Sequence, residues 1–357
     1  MAPRVQTGEN ALYRYNKIRY TFVQIDAGKQ KILTSDPWSY LNSFLQVKKS
    51  NARGPNKVQF ERAIYFANLA ENFFNCSSTI PLPAKSTLLY YGMLDLVKCF
   101  LSINGTQLEQ MHEHHGLSLP IGQSHVIDVK SKKNKDAINI NSEFAKLLKK
   151  PVTKPLQVRF EQALSHIPEI HSIYTALGHI DKQKLLPVDI NFLVNDKRDK
   201  LFTEISYAKE NESTVDIDKF YKNSRKQYLR EGINTNGVIC FRAKRMKSFT
   251  QSNIHRIYRN ILQDYEKLNI VPMLTKEGYR YYADLRPGEL SSLSYTLIAM
   301  FYLGSAARYR PLEISDILEG PLRPLVSEFI SLSPKQFLYQ LVSLITEEEC
   351  VIPFAAI

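Results

Sequence analysis

Two stretches in the first third of the chain repeat apolar residues at the spacing of an α-helix. The residues that share a face are Ala63, Phe66, Ala67, Ala70, Phe73 and Phe74 in one stretch, and Leu89, Met93, Leu96, Val97 and Phe100 in the other. Pro81 and Pro83 separate the stretches, and so short a connection predicts an antiparallel pair of helices. An earlier helix is predicted to begin at Pro37, with Asp36 as its N-cap.

The middle of the chain changes to patterns typical of strands. Leu186–Val194 and Leu201–Ala208 are apolar runs joined by a polar turn, which predicts two neighbouring strands. Alternation over residues 119–140 predicts a hairpin with a lysine-rich turn. We further predict strands at 20–25, 238–243 and 279–283, and helices at 156–177, interrupted at Pro168, at 218–230 and at 252–268.

The last third returns to helical spacing. Residues 291–308 predict a long apolar helix, the prolines that follow predict turns and short helices up to Thr346, and the apolar tail 351–357 is expected to dock into the core. The chain is therefore predicted to be an α+β protein, mainly α, in which a helical bundle carries an inserted antiparallel β region. We predict three regions: helical 1–180, basic 181–290, and 291–357 packing back on the core.

Composition narrows the class of protein. Hydrophobic residues make up 44 % and charged residues 23 % of the 357 residues, which predicts a sizeable core. Glycine is scarce, and the phosphate-binding and nucleophile-elbow motifs GxxxxGK, GxGxxG and GxSxG are absent from the sequence. The four cysteines lack CxxC spacing and are predicted to be reduced thiols. The first twenty residues are polar and no apolar run reaches about 18 residues, so we predict a cytoplasmic protein with no membrane segment, cofactor or metal.

The excess of basic residues behind the net charge of +12 is concentrated in two stretches: residues 130–154 hold eight lysines against two acids, and the more basic stretch is 219–259. Eleven basic residues stand there against one acid, Glu231; they are Lys219, Lys222, Arg225, Lys226, Arg230, Arg242, Lys244, Arg245, Lys247, Arg256 and Arg259. Clustered cations with interleaved aromatics are typical of surfaces that bind nucleic acid, and an acidic protein surface is the other partner that such charge favours. A solvated face with the aromatics turned inward is the structural alternative.

Short motifs along the chain resemble those of the YaaC-like family of bacteria. They include Asp36-Pro37-Trp38, Pro81-Leu82-Pro83, Tyr90-Tyr91-Gly92, His115-Gly116, Ile167-Pro168-Glu169, Tyr302-Leu303-Gly304 and Arg308-Tyr309-Arg310-Pro311. The resemblance covers residues 36–357 and implies a cytosolic protein, for which relatives in bacterial antiphage loci would be unsurprising. It implies no catalytic residues, because the family has no agreed ones.

Two pairs of residues raise the possibility of a nuclease. The helix pair resembles HEPN domains, many of which are ribonucleases with an Arg and a His on one helical face, and Arg159 and His166 are seven residues apart. Asp189 and Glu204, on neighbouring predicted strands, resemble half of a metal-dependent nuclease core. In both cases the ordinary alternative is structural, since Pro168 interrupts the helix and Ser206 stands where a Lys would be needed.

Arg308 and Arg310 stand at the end of the long apolar helix. Two guanidinium groups could clamp a phosphate or carboxylate, or could simply stabilise the helix C-terminus. The cluster His112, His114 and His115 lacks the spacing of a zinc site and is predicted to be structural.

Three hypotheses remain open, and the sequence does not decide whether the protein is an enzyme. In the first, the protein binds nucleic acid or another polyanion through residues 219–259. In the second, it is a HEPN-like or metal-dependent nuclease. In the third, it is a non-catalytic subunit of a larger complex or a homo-oligomer, with the basic face directed at an acidic protein surface.

Overall fold

The computed structural model describes most of the chain. The described residues are 9–10, 32–131, 137–178, 184–195, 197, 199–213, 215, 217–218, 220, 222, 228–233, 238–243, 246–250, 253, 257, 268–275 and 278–353. The predicted strand at 20–25 lies outside these residues, as does nearly all of the helix predicted at 252–268.

The described α-helices fall into an N-terminal and a C-terminal group. They are α1 (Pro37–Asn51), α2 (Pro55–Ser77), α3 (Ala84–Ile103), α4 (Ile140–Leu147), α5 (Phe160–Ser165), α6 (His171–Ala176), α7 (Ser292–Tyr309), α8 (Pro311–Glu319) and α9 (Arg323–Thr346). Short 3-10 helices occur at Pro168–Ile170 and Lys209–Ser213. The sequence correctly predicts α1, α2, α3 and α7.

The described strands lie mainly between the two helical groups. They are β1 (Glu9–Asn10), β2 (Ile32–Leu33), β3 (His112–His114), β4 (Leu117–Ser118), β5 (Val126–Val129), β6 (Ala137–Asn139), β7 (Leu156–Arg159), β8 (Leu185–Val194), β9 (Lys200–Ala208), β10 (Tyr228–Ile233), β11 (Val238–Ala243), β12 (Lys247–Ser248), β13 (Ile270–Thr275), β14 (Gly278–Asp284) and β15 (Cys350–Val351). The main sheet is antiparallel, in the order β10-β11-β9-β8-β14-β13, with β1 beside β8 and β12 beside β9. The predicted α+β, mainly α, class is confirmed.

The helical core forms around α3. This helix packs against α2, α7 and α9, and residues from Leu89 to Leu101 on it are almost entirely buried. It is long and apolar enough to cross a membrane by length and composition alone, yet 72 % of that apolar window is buried inside the protein. Because a core helix passes the same test, α3 is explained by its packing against the other helices. Asp36 caps α1 as predicted, accepting a hydrogen bond from the Ser39 backbone N–H at 3.1 Å.

One face of the main sheet belongs to the core. The inward residues of β8 alternate with outward ones, so that Val188, Ile190 and Phe192 are buried while Asp189 is exposed. The outer edge of the sheet at β13 is closed by a side chain from α9. The Gln336 amide accepts from the Leu274 N–H at 3.0 Å and donates to the Leu274 carbonyl at 2.7 Å, as a neighbouring strand would.

Several predicted elements differ from the structure. Residues 119–140 do not form a hairpin, because β5 pairs with β4 and β7 while β6 pairs in parallel with β3. Within 156–177, a strand, β7, precedes two short helices and a 3-10 turn. The helix predicted at 218–230 is also wrong at its end, since β10 begins at Tyr228. The conformation of these segments depends on pairing with strands that are distant in the sequence. The local periodicity of apolar residues does not indicate such pairing.

Candidate functional site

Three segments that are far apart in the sequence meet in one cleft of about 440 Å³, here called the Arg308 cleft. Its walls come from α3, from the chain following β3 and from the C-terminal end of α7. The lining residues are Tyr91, His115, Ser118, Leu119, Phe301, Ser305, Arg308, Tyr309 and Arg310. None of these lining residues is acidic, and the cleft presents hydroxyl and N–H groups together with two arginines.

The close approach of α7 to α3 sets the shape of the cleft. A Cβ atom at Gly304 would lie 3.1 Å from the Ser86 carbonyl oxygen and from the Tyr90 Cβ. Such distances are tighter than ordinary van der Waals contacts, so glycine permits the two backbones to come together here. The Thr87 hydroxyl donates to the Gly304 carbonyl at 3.2 Å and joins the helices. The glycine of the Tyr302-Leu303-Gly304 motif therefore brings Arg308, one turn later, beside Tyr91.

Arg308 is exposed, but its guanidinium is held in place. Its Nε donates to the Gly304 carbonyl at 3.0 Å, and its Nη1 donates to the Tyr91 hydroxyl at 2.7 Å. The guanidinium carbon also lies 5.2 Å from the Tyr91 ring centroid and 4.9 Å from that of Tyr309. A guanidinium carries five N–H donors in a fixed plane. Two of them have these partners, and in the described part of the chain no carboxylate pairs with Arg308. The remaining Nη N–H groups, called the Nη edge below, have no protein partner among the described residues and are available to an anion.

His115, another residue of the Arg308 cleft, is in contact with a buried tyrosine. Its Nδ1 lies 2.8 Å from the hydroxyl of Tyr90, whose side chain is fully buried. Burial raises the pKa of Tyr90, so the hydroxyl keeps its proton at neutral pH. Burial, together with the charges of Lys98 and Arg308, lowers the pKa of His115. The lowered pKa favours the neutral ring, which carries one N–H and one acceptor nitrogen.

Arg310, the second predicted anion-binding residue, has a different role. Its guanidinium donates to the carbonyls of Pro120 and Gln123 at 2.5 and 2.8 Å and to Glu313 at 3.2 Å. Burial would raise the pKa of Glu313, but hydrogen bonds from the Tyr302 hydroxyl, the His125 N–H and Arg310 lower it. Arg310 is thus neutralised and ties α8 to the loop at 120–123. The sequence analysis considered Arg308 and Arg310 as one anion clamp, but in the structure the two guanidinium groups have different partners and only Arg310 is paired with a carboxylate.

The structure does not place Arg159 and His166 on one helical face. Arg159 ends strand β7, and the helix that follows covers only Phe160–Ser165, with His166 at its C-cap. The Arg159 side chain is 70 % exposed, whereas His166 is largely buried and stacks on Tyr295. The seven-residue spacing argument required a continuous helix, and the strand breaks it.

His166 belongs instead to a buried network at the junction of the helices and the sheet. The Lys184 Nζ donates to His166 Nδ1 at 2.7 Å and lies 3.3 Å from the Asp284 carboxylate. Burial lowers the pKa of Lys184 and of His166. Burial would raise the pKa of Asp284, yet hydrogen bonding to His166 and the charge of Lys184 lower it. The charges in this network are neutralised within the protein itself. The sequence analysis missed Lys184 and Asp284, which stand alone at strand ends and carry no motif.

His171 extends the same network. Its Nε2 accepts a hydrogen bond from the Lys184 backbone N–H at 3.0 Å, and its ring is 3 % exposed. Burial lowers the pKa of His171 to about 4. The neutral ring therefore carries its proton on Nδ1, which is buried without a hydrogen-bond partner.

Asp189 and Glu204 do share the outward face of the sheet. Asn191 pairs with Glu204 and Asp189 with Ser206 in the register of β8 and β9, and both acids line a groove of about 780 Å³. Glu204, however, is held by Arg242 at 2.6 Å. Among the described residues no group of three His, Cys, Asp or Glu side chains is arranged to hold a metal ion. The structure therefore adds no ligand to the pair that the sequence analysis considered.

The predicted basic surface is described only in part. Lys222 is exposed, Lys247 is half-buried and Arg242 is paired with Glu204, while Arg230 stands in strand β10. The remaining predicted residues, Arg225, Lys226, Lys244, Arg245, Arg256 and Arg259, lie outside the described residues. The continuous basic face stays a prediction.

These features define an α+β protein with a basic cleft that no acidic side chain lines. The chain belongs to the YaaC-like family: the family model described as YaaC-like Protein matches residues 28–345. No curated protein and no solved structure matches the chain. The match confirms the resemblance, while nucleic-acid binding, a HEPN-like activity and a role in antiphage defence stay predictions.

Proposed function

We propose that this YaaC-like protein binds a phosphate-bearing polyanion, with nucleic acid as the ligand class, and that one phosphate group occupies the Arg308 cleft. The observation that carries the proposal is Arg308 itself. Its guanidinium is fixed by a carbonyl, a hydroxyl and two aromatic rings, and its Nη edge is open in a cleft lined by no acid. A cation that is fixed and left unneutralised binds an anion at a small cost in side-chain entropy.

The other cleft residues fit an anion with several oxygens. The hydroxyls of Tyr91, Ser118 and Ser305 are neutral donors around one positive charge, and the His115 ring lies in the same cleft. A phosphate group offers three or four acceptor oxygens and can satisfy several such donors at once. The net charge of +12 then increases the rate of encounter with a polyanion over long range.

The first experiment measures binding of a labelled 12-nucleotide single-stranded RNA and the matching DNA by fluorescence anisotropy across a salt series. We expect Arg308→Gln to weaken binding roughly 10- to 150-fold, since a charge-assisted hydrogen bond contributes about 1.5–3 kcal/mol. The slope of log K against log salt should fall by about 0.7, the value for one phosphate contact on a single strand. Arg308→Lys, which keeps the charge and loses the planar fork, should give an intermediate affinity.

The matched control is Arg53→Gln, which removes the same charge from an exposed loop between α1 and α2. An equal loss of affinity in both variants would show a general charge effect and overturn the cleft as the binding site. No binding even at about 50 mM salt would overturn polyanion binding. Gel analysis of the same probes, with and without Mg²⁺, tests the nuclease hypothesis directly, because intact probe is expected throughout.

A further inference from the structure

The ring of Tyr309 stands at the mouth of the Arg308 cleft and is 71 % exposed. It is the last in a row of four side chains, each in contact with the next: Phe73, Tyr91, Arg308 and Tyr309. Phe73 stacks on Tyr91 with 5.8 Å between ring centroids, and the Arg308 guanidinium lies over both Tyr91 and Tyr309. An aromatic ring so exposed gains little from the hydrophobic effect, so its position beside the anion-binding edge needs another explanation.

We propose that Tyr309 is a stacking surface for the unpaired base of the nucleotide whose phosphate occupies the Arg308 cleft. This inference rests on the proposed function and deepens it. It specifies the ligand as a nucleotide or single-stranded nucleic acid, and excludes a duplex or a polyanion without bases as the preferred ligand.

The neighbours of Tyr309 hold the ring in a defined place. Arg308 contacts one side of it, and the next residue, Arg310, is fixed by the Pro120 and Gln123 carbonyls and by Glu313. The ring is therefore presented by a helix end that is anchored on both sides, which lowers the entropy lost when a flat ligand stacks on it.

The chemistry of the surroundings fits a nucleotide in two further respects. A base is flat and apolar on its faces, and it stacks on tyrosine whatever its identity, as in proteins that bind single strands without sequence preference. The exposed apolar side chains Leu312 and Ile121 belong to the segments that Arg310 joins, and they are 81 % and 100 % exposed. A phosphate site beside a flat apolar surface matches the two parts of a nucleotide, whereas the paired bases of a duplex expose no faces to a side chain.

The test compares ligands that share a phosphate and differ in the base. Isothermal titration calorimetry with ribose 5-phosphate, adenosine monophosphate and uridine monophosphate measures the contribution of the base. We expect the nucleotides to bind about 5- to 100-fold more tightly than ribose 5-phosphate, the range that base–aromatic stacking provides. In Tyr309→Ala that advantage should be lost, while the affinity for ribose 5-phosphate changes less than twofold. Tyr309→Phe should keep the advantage.

The outcomes separate this inference from the function on which it rests. Equal binding of ribose 5-phosphate and the nucleotides, with both lost in Arg308→Gln, would overturn base stacking and leave the phosphate site standing. A nucleotide advantage that survives in Tyr309→Ala would also overturn it. Absence of binding by all three ligands would overturn both proposals. As a further arm, a single-stranded 12-mer should bind more tightly than its duplex at equal salt, and tighter binding of the duplex contradicts the inference.

Discussion

The Arg308 cleft and the buried Lys184 network contain similar groups in opposite electrostatic states. Each has a long basic side chain, a histidine with a lowered pKa and a tyrosine ring in contact with one of them. In the network, Asp284 supplies the negative charge, and Lys184 and Asp284 are 5 % and 8 % exposed. In the cleft no lining residue is acidic, Glu313 pairs with Arg310 and not with Arg308, and Arg308 is open to solvent. The comparison teaches that a buried basic group paired with an acid of the protein stabilises the fold. A basic group that lacks an acidic partner in the protein is instead suited to bind an anionic ligand.

The largest effect should come from removing the acid of the network. Asp284→Asn leaves Lys184 buried beside His166 without a negative charge, and breaking a buried pair in this way costs about 3–5 kcal/mol. Urea denaturation at pH 7 measures the free energy of unfolding. Asp316→Asn, an exposed change on α8, is the matched control and should shift stability by less than about 0.5 kcal/mol. Equal small effects in both variants would show that the network does not hold the helices to the sheet.

Acid should destabilise the protein through the same network. The pKa of His171 is lowered to about 4 from the ordinary value of 6.5, so the unfolded chain binds a proton more readily than the folded one. Stability is therefore present above pH 6.5 and is lost as the pH falls toward 4, by up to about 3 kcal/mol from this group. His166, whose pKa is also lowered, acts in the same direction.

The measurement for this prediction is the free energy of unfolding in urea at pH 7, 6 and 5. His171→Gln keeps a hydrogen-bond acceptor for the Lys184 N–H and should flatten the decline. His112→Gln replaces an exposed histidine on β3 and should leave it unchanged. Loss of the decline in both variants, or in neither, contradicts the assignment to the network.

A smaller effect is expected at the contact that shapes the cleft. Gly304→Ala places a Cβ 3.1 Å from two atoms of α3, and relief of such crowding costs about 1–3 kcal/mol, partly offset by the better helix propensity of alanine. Because α7 must shift relative to α3, the Arg308 hydrogen bond to Tyr91 should weaken as well. Thermal denaturation gives the stability, and the anisotropy assay should show a loss of affinity for single-stranded RNA. Full affinity with unchanged stability would mean that the close approach is not required.

Sequence patterns predicted the parts of this fold that local spacing controls. The stripes on α2 and α3, the Asp36 cap and the strands β8 and β9 follow from residues that are near each other in the chain. The segment 156–177 was misread because Val158 and its neighbours pair with β5, a contact about thirty residues away. The sequence showed the motifs that carry the family resemblance, but it did not predict that some of them lie together in one cleft. That cleft joins residues 91, 115 and 308, and no local pattern encodes it.

The side chain of Gln336 has a consequence for how copies of this protein can associate. By pairing with both backbone groups of Leu274, it occupies the place that an incoming strand would take on the outer edge of the sheet. A second chain could extend the sheet there only by first displacing that amide. The Gln336 side chain thus protects this position of the edge strand against pairing with another chain.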